Sequence, residues 1–561
     1  MKLTNNAKII LRERYLRKNK KGKVVETPSQ LFRRVSRDIA KADSKYPKQR
    51  KNIKKTENKF FKIMSSLDFL PNSPTLMNAG TKNEQLAACF VLPIEDSLNS
   101  IFTTLHKTAI IHKSGGGTGF DFSKLRSRND YILETGGTSS GPVSFIRVFD
   151  SATEQVKQGG KRRGANMAIL RIDHPDIEEF IIAKQKYPIN NFNFSVAITD
   201  NFMQAYKKRK SFHLVNPLTK KKTKKDPRKL FDLLCKSAML TGDPGVIFID
   251  TINKHHPLKE KITAVNPCGE QPLLPYEACN LGSINLSNHY KNGDVDWNKL
   301  RTTIYDAVHF LDNVIDRSDY KYKEIEEMTK KNRKIGLGIM GFADLLFKLK
   351  IPYNSDEAVE FASLIMEFIR YESEQASHEL AILRGPFPNF KKSKLKVKLR
   401  NATLNTIAPT GTISMIAGCS SGIEPVFALA FTHDVLNHKK LSEVNFPLMD
   451  YLKQKKLNLK SILNKIKKKG TLKGLKEIKD RNVFVTSMEV EPKYHLLIQA
   501  TFQVYIDNAV SKTVNLKSSA TINDVKKIFL NAYKLGCKGI TVYRYGSKEQ
   551  QVLTFGCEEC Q

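Results

Sequence analysis

Phe194-Ser195-Val196-Ala197-Ile198 and Val246-Ile247-Phe248-Ile249 decide the fold class. Each is a short apolar run, rich in β-branched residues and bounded by Asn, Asp, Gly or Pro, so each reads as a buried strand rather than a helix. Cys89-Phe90-Val91-Leu92, Ala168-Ile169-Leu170 and Gly539-Ile540-Thr541-Val542-Tyr543 repeat the pattern. Longer helical patterns alternate with them, at Thr302 to Ile315 and Glu357 to Leu383. Strands separated by helices imply an α/β core. Residues 1–70 differ, because Leu31-Phe32-Arg33-Arg34-Val35 and Phe60-Phe61-Lys62-Ile63-Met64 place apolar side chains at helical spacing. The expected organisation is a helical region over 1–70, an α/β domain over 71–546 with basic insertions near 205–230 and 452–480, and a polar tail over 547–561.

Between these strands stands Asn266-Pro267-Cys268-Gly269-Glu270, followed by Glu277-Ala278-Cys279-Asn280-Leu281-Gly282-Ser283. Pro and Gly break the first stretch, which predicts a tight loop. It sets a thiol between a carboxamide and a carboxylate. A core-filling cysteine needs neither neighbour, whereas a thiol acting on a sugar needs an amide to hold hydroxyls and a carboxylate to take a proton. The competing reading is a buried cysteine beside a turn.

With 561 residues, 40% hydrophobic and 27% charged, the chain has the composition of a folded globular protein. Its formal charge of +37 comes from 93 Lys and Arg against 56 Asp and Glu. The excess is scattered lysine, densest in Lys207-Lys208-Arg209-Lys210, Lys220 to Lys225 and Lys453 to Lys479. Such runs read as solvated faces, so stable nucleic-acid binding is not expected. No run of about 18 apolar residues and no apolar leader core occurs, which predicts a cytoplasmic protein with no membrane partner. The eight cysteines are too dispersed for a disulfide scaffold. Only Cys557 and Cys560 have CxxC spacing, and with no second ligand pair following them a mobile dithiol is expected rather than a metal site.

Gly336-Leu337-Gly338-Ile339-Met340-Gly341 matches a dinucleotide-binding fingerprint, but the basic Thr329 to Lys334 stretch ahead of it does not read as a buried strand. Three other runs suit phosphate-sized groups: Ser114-Gly115-Gly116-Gly117-Thr118-Gly119, Gly159-Gly160-Lys161-Arg162-Arg163-Gly164, and the helix-entering turn Pro409-Thr410-Gly411-Thr412-Ile413. Each alone is compatible with an ordinary turn.

Taken in order, Leu70-Pro71-Asn72-Ser73-Pro74-Thr75-Leu76-Met77-Asn78, Ala88-Cys89-Phe90-Val91, the triple-glycine run, Gln158 to Asn166, the Asn-Pro-Cys-Gly-Glu loop, Cys279 to Ser283 and Pro409 to Ile413 resemble the ribonucleotide reductase catalytic subunits. The resemblance runs from about Leu70 to Leu553 and is strongest to the class II, adenosylcobalamin-dependent (vitamin B12-dependent) ribonucleoside-diphosphate reductases. It implies a ten-stranded α/β barrel of two antiparallel five-stranded halves with a central finger loop.

By this resemblance Cys268 carries a transient thiyl radical that removes the 3′ hydrogen of a ribonucleotide, Glu270 takes the 3′-hydroxyl proton and Asn266 holds the sugar. Cys89 and Cys279 become the dithiol oxidised to a disulfide, and Cys557 and Cys560 relay electrons from a thioredoxin-like protein. Substrate contacts are implied at Ser73, Ala88, Cys89, Gly117, the Asn266 to Glu270 loop including Pro267 and Gly269, and Pro409, Thr410, Gly411, Thr412 and Ile413. Deoxynucleoside triphosphate effectors are implied at Asp96 and Arg126. Lys157, Gly159, Gly160, Lys161, Arg162, Arg163, Gly164 and Asn166 would form the specificity loop.

Tyr543 and Tyr545 are not adjacent, unlike the tyrosine pair by which class I enzymes receive a radical, and this favours adenosylcobalamin over a radical-generating subunit. The class I reading and a basic nucleic-acid-binding protein are the alternatives. Diphosphate or triphosphate substrate, monomer or homodimer, and an overall activity site stay open at this point.

Overall fold

In the computed structural model, residues 3–133, 136–158, 162–435, 439–547 and 553–554 are described here. The strands used below are β1 Phe69–Pro71, β2 Cys89–Val91, β3 Gly117–Asp121, β4 Asn166–Arg171, β5 Phe192–Ile198, β6 Gly245–Phe248, β7 Ala278–Asn285, β8 Ile335–Met340, β9 Thr513–Leu516 and β10 Gly539–Arg544. Each apolar run read as a strand from the sequence falls on one of them, except that Leu92 lies past the end of β2 and Ile249 begins helix Ile249–His255.

Strands β2 to β6 pair side by side, all parallel. A second parallel set runs from β7 to β8, then through segment 403–407 by the Leu337–Asn405 bridge, past Val510 by the Ile407–Val510 bridge, and on to β9 and β10. The two sets meet antiparallel at β2 with β7 and at β6 with β10, which closes the ring. The expected halves are thus parallel inside, and it is the halves that oppose one another. Helical crossovers such as Leu98–Lys113 and Pro142–Gln155 join the first set, as parallel neighbours require. β1 adds to β7 outside the ring.

Period-two alternation divides each strand between two environments. Phe192, Phe194, Val196 and Ile198 of β5, Phe90 of β2, and Val246 and Phe248 of β6 bury against the covering helices. Cys89 and Val91, Met167 and Ile169, Ala197, Ile247, Cys279 and Leu281 fill the barrel interior. That interior also receives Ala264, Val265 and Leu273, so the loop they flank enters the barrel.

The amino-terminal region forms helices Pro28–Ala40 and Ile53–Ser65, which pack on each other and on Trp297–Arg317. Thr27 caps the first in a reciprocal box with Gln30. Leu300, Ile304, Ala307, Leu311, Val314 and Ile315 give the third a continuous buried stripe. A charged cluster joins this region to the barrel. Arg384 reaches Asp43 and Asp312, both at 2.7 Å, while Arg333 and Arg400 reach Asp312 at 2.8 and 3.2 Å.

The glycine run 336–341 is itself largely strand β8. A Cβ at Gly338 would run into Thr406 O, and one at Gly336 would lie 2.5 Å from Gln271 Nε2, so these glycines serve close packing inside the barrel. Of the basic insertions, 205–230 forms a hairpin, Phe212–Val215 with Lys222–Lys225, between helices, and 452–480 holds helix Leu459–Lys469. Among the described residues no helix is long and apolar enough to cross a membrane.

Candidate active site in the barrel

Ala264–Val265 and Pro272–Leu273 form a two-stranded stem whose tip is the Asn-Pro-Cys-Gly-Glu loop. Asn266 closes the tip from within. Its N–H donates to Gln271 O at 3.1 Å, its Oδ1 accepts from Gln271 N at 2.9 Å, and its O accepts from Gly269 N at 3.0 Å. Gly269 takes φ +82°, a left-handed turn that favours glycine. The loop sits against β3, where a Cβ at Gly119 would overlap Val265 O and one at Gly117 would lie 2.8 Å from Pro267 Cγ. The triple-glycine run therefore makes room for the finger loop, a role the phosphate reading did not anticipate. Asn193 Nδ2 adds a bond to Pro267 O at 2.8 Å.

Cys268 stands exposed at the tip and lines a cavity of about 450 Å³ with Asn193, Ser195, Pro409, Lys512 and Tyr543. Asn266 and Glu270 are buried beside it. Glu270 O accepts from Ala509 N and Thr406 Oγ1, both at 2.9 Å, which fixes the loop to the second half-barrel.

Cys89 and Cys279 oppose each other directly where the two halves meet. Opposed residues of an antiparallel pair have Cβ atoms about 4.5–5.5 Å apart, close to the separation a disulfide needs. Asn266 Nδ2 donates to Cys89 Sγ at 3.1 Å, linking the finger loop to this pair. Burial pushes the Cys89 thiol well up, and the Glu270 carboxylate pushes the same way. Burial likewise raises Cys279, with the Lys334 cation opposing it.

Around Cys279 lies a group the motifs did not predict. Lys334 Nζ donates to Glu277 Oε2 at 2.6 Å and bonds His256 Nε2 at 3.1 Å, all three side chains being buried. Asn332 Nδ2 and Leu274 N also donate to Glu277. Burial and the Lys334 cation push His256 down to about 2, so the ring is neutral. Glu277 stands just ahead of β7 and two residues from Cys279, and that spacing is the sequence signal for a shared face. Lys334 carries no such signal.

The remaining predicted residues are spread around this centre. Gly117 N donates to Ala88 O at 2.8 Å, and Ala88 N to Cys279 O at 3.1 Å, so both backbones adjoin the cysteine pair. Ser73 bonds Tyr15 Oη at 2.7 Å, and β1, which leads into it, packs against helix Gly411–Ala417. Thr410 holds a left-handed φ of +54° at the start of that helix, its Oγ1 accepting from Gly422 N at 2.8 Å, while Gly411 is exposed. Ile413 is buried and Thr412 half-buried.

Asp96 and Arg126 pair with each other, Arg126 Nε to Asp96 Oδ2 at 2.8 Å, beside the start of helix Leu98–Lys113. Lys157–Gln158 and Arg162–Arg163 pair as a short hairpin. A Cβ at Gly164 would press on the His112 ring, and Asn166 is buried, bonding Thr118 and Thr153 at 2.7 and 2.9 Å. Gly159, Gly160, Lys161, Cys557 and Cys560 lie outside the described residues. Among the described residues no group of three His, Cys, Asp or Glu side chains is arranged to hold a metal.

Comparison with known proteins agrees with this geometry. Residues 87–398 and 395–543 match the ribonucleotide reductase barrel domain, and residues 1–84 match the ribonucleotide reductase all-alpha domain. A vitamin B12-dependent ribonucleoside-diphosphate reductase of Thermoplasma acidophilum is 47% identical over 624 aligned residues, covering 100% of this chain and 81% of the relative. A protein of the same name from Mycobacterium tuberculosis is 47% identical, covering 99% and 81%. The solved Actinobacillus ureae class Id ribonucleotide reductase alpha subunit shares the fold, with a TM-score of 0.78 at 24% identity and 97% of each chain covered. The chain belongs to the ribonucleotide reductase family, as a catalytic subunit.

Proposed function

We propose that this protein reduces ribonucleotides to 2′-deoxyribonucleotides, for DNA synthesis and repair, with adenosylcobalamin as cofactor. One observation carries the reading: an exposed thiol at the tip of a loop inside the barrel, tied through Asn266 to one of two cysteines that face each other. The names of the relatives supply the cofactor and point to diphosphate substrates. The cavity of about 450 Å³ at Cys268 suits a nucleoside-sized group beside the thiol. Held against the residues that line this cavity, the cofactor would supply the one-electron oxidant for the Cys268 thiol.

In this reading Cys268, as a thiyl radical, takes the 3′ hydrogen and later returns it. Glu270 removes the 3′-hydroxyl proton while Asn266 orients the sugar. As the 2′-hydroxyl leaves as water, Cys89 and Cys279 give two electrons and become a disulfide, which the tail dithiol Cys557 and Cys560 reduces at the expense of a thioredoxin-like protein. Substrate lies along Ser73, Ala88, Gly117 and the Pro409 to Ile413 turn. Effector triphosphates bind near Asp96 and Arg126, and the Lys157 to Asn166 loop carries their influence to the base. We keep the division into 1–70, 71–546 and 547–561 as three working parts, and place the protein in the cytoplasm.

A homodimer is our proposed assembly. Helices Leu98–Lys113 and Pro142–Gln155 pack side by side and expose Leu98, Phe102 and Val148, an apolar face that a second copy would cover.

The deciding test is anaerobic turnover of a ribonucleoside diphosphate with dithiothreitol, with and without adenosylcobalamin. Turnover only with the cofactor is expected. Turnover that needs a separate radical-generating protein would assign the chain to class I instead.

A further inference from the structure

The two thiols of the facing pair sit in unlike electrostatic surroundings. Cys279 is in register with Lys334 on the neighbouring strand line, since Asn280 pairs with Ile335 in β7 and β8. Its Sγ donates to Asn280 O at 3.4 Å and to Lys334 O at 3.6 Å. The Lys334 ammonium, buried with a carboxylate and a neutral imidazole as partners, is a fixed cation in a low-dielectric wall. The charged groups that bear most on Cys89, namely Glu270, Cys279 and Cys268, all oppose negative charge there, and one neutral amide, Asn266, favours it. Glu277, Glu270 and Asp507 oppose charge at Cys279 in part, but Lys334 is its largest charged influence.

Taking Cys89 and Cys279 as the redox dithiol proposed above, we infer that Lys334 is a positioning residue that makes Cys279 the leaving thiolate and Cys89 the attacked sulfur when their disulfide is re-reduced. The attacking dithiol, as thiolate, forms a bond to Cys89 Sγ while the Cys89–Cys279 bond breaks. The electron pair passes to Cys279 Sγ, the sulfur in strand register with Lys334. The donor's second thiol then attacks its own sulfur in the mixed disulfide and leaves as a disulfide, and Cys89 departs as a thiolate. The two cysteines take up two protons, equal to those lost by the donor. Exchange is faster when the leaving thiol has the lower pKa, so a cation at one sulfur gives the reaction a direction. Lys334 is not among the residues that line the cavity at Cys268.

The test uses the full-length protein oxidised by turnover, attacked by cysteamine, quenched with N-ethylmaleimide and mapped by peptide mass spectrometry at the two positions. In the unmodified protein the cysteamine adduct is expected on Cys89 and the maleimide on Cys279, by about tenfold over the reverse. Lys334→Met risks leaving Glu277 as a buried unpaired charge, so the decisive variant is Lys334→Met with Glu277→Gln, compared at matched melting temperature. There the ratio should fall towards one and reduction by dithiothreitol should slow about tenfold, while Lys334→Arg should retain both. An unchanged ratio and rate in the double variant overturns the role of Lys334 and leaves the dithiol intact. If turnover yields no Cys89–Cys279 disulfide in the unmodified protein, the dithiol assignment itself is wrong and this inference falls with it.

Discussion

The radical chemistry proposed for Cys268 is one that no isosteric oxygen supports, because a hydroxyl holds its hydrogen too strongly for a radical carrier. Cys268→Ser should abolish reduction while nucleotide affinity changes less than about twofold, a difference under 0.5 kcal/mol. Equilibrium binding and turnover measured on one preparation check this, and residual turnover would refute the radical role. Lys334 illustrates the opposite case, a residue whose weight is structural and electrostatic. Removing one member of a buried ion pair typically costs about 3–5 kcal/mol. Lys334→Met alone should therefore lose more stability in urea unfolding than the double variant with Glu277→Gln. Equal losses would mean that the 2.6 Å pair is not coupled.

At the scale of elements, the finger loop and β3 form one unit. Gly119 leaves room for Val265 O, and any side chain there must displace either the strand or the stem of the loop. Gly119→Ala should cost about 1–3 kcal/mol of stability and reduce turnover further than that loss explains, since Cys268 moves with the stem. Crystallography or thiol reactivity at Cys268 would report the displacement, and normal kcat with normal stability would contradict it. The tail is a separate element in our proposal. Cys557→Ser with Cys560→Ser should lose activity with thioredoxin but keep most of it with dithiothreitol, which enters the barrel unaided. Equal loss with both reductants would show that the tail does not act as a relay.

Across the whole molecule, buried charges join the helical region to the barrel. Burial alone would raise the Asp43 carboxyl, but the His309, Thr56 and Asn313 hydrogen bonds and the His309 charge outweigh it and hold the group at about 2. A carboxyl whose folded value lies below its unfolded one stabilises the fold above the unfolded value and loses that contribution as pH falls through the folded one. Stability should therefore drop by about 2 kcal/mol between about pH 4 and pH 2 on account of this group. Asp43→Asn should start less stable, with Arg384 left short of a partner, and lose less over that interval. Unfolding midpoints across pH for both proteins check it, and parallel curves would remove Asp43 from the account.

The sequence by itself determined five of the strands, two long helices and the thiol between amide and carboxylate, but not β3, β7, β8, β9 or segment 403–407. Local periodicity and Pro/Gly breaks are properties of neighbouring residues, so Phe194 to Ile198 or Asn266 to Glu270 can be read without knowing what surrounds them. The glycines were legible as glycines but not in purpose: Gly119 answers Val265, and Gly338 answers Thr406. Only the tertiary structure brought Cys89 opposite Cys279 and set Lys334 between Glu277 and His256. Those contacts are made by closing ten strands into a ring, and the register of strands distant in sequence depends on that closure rather than on any local pattern.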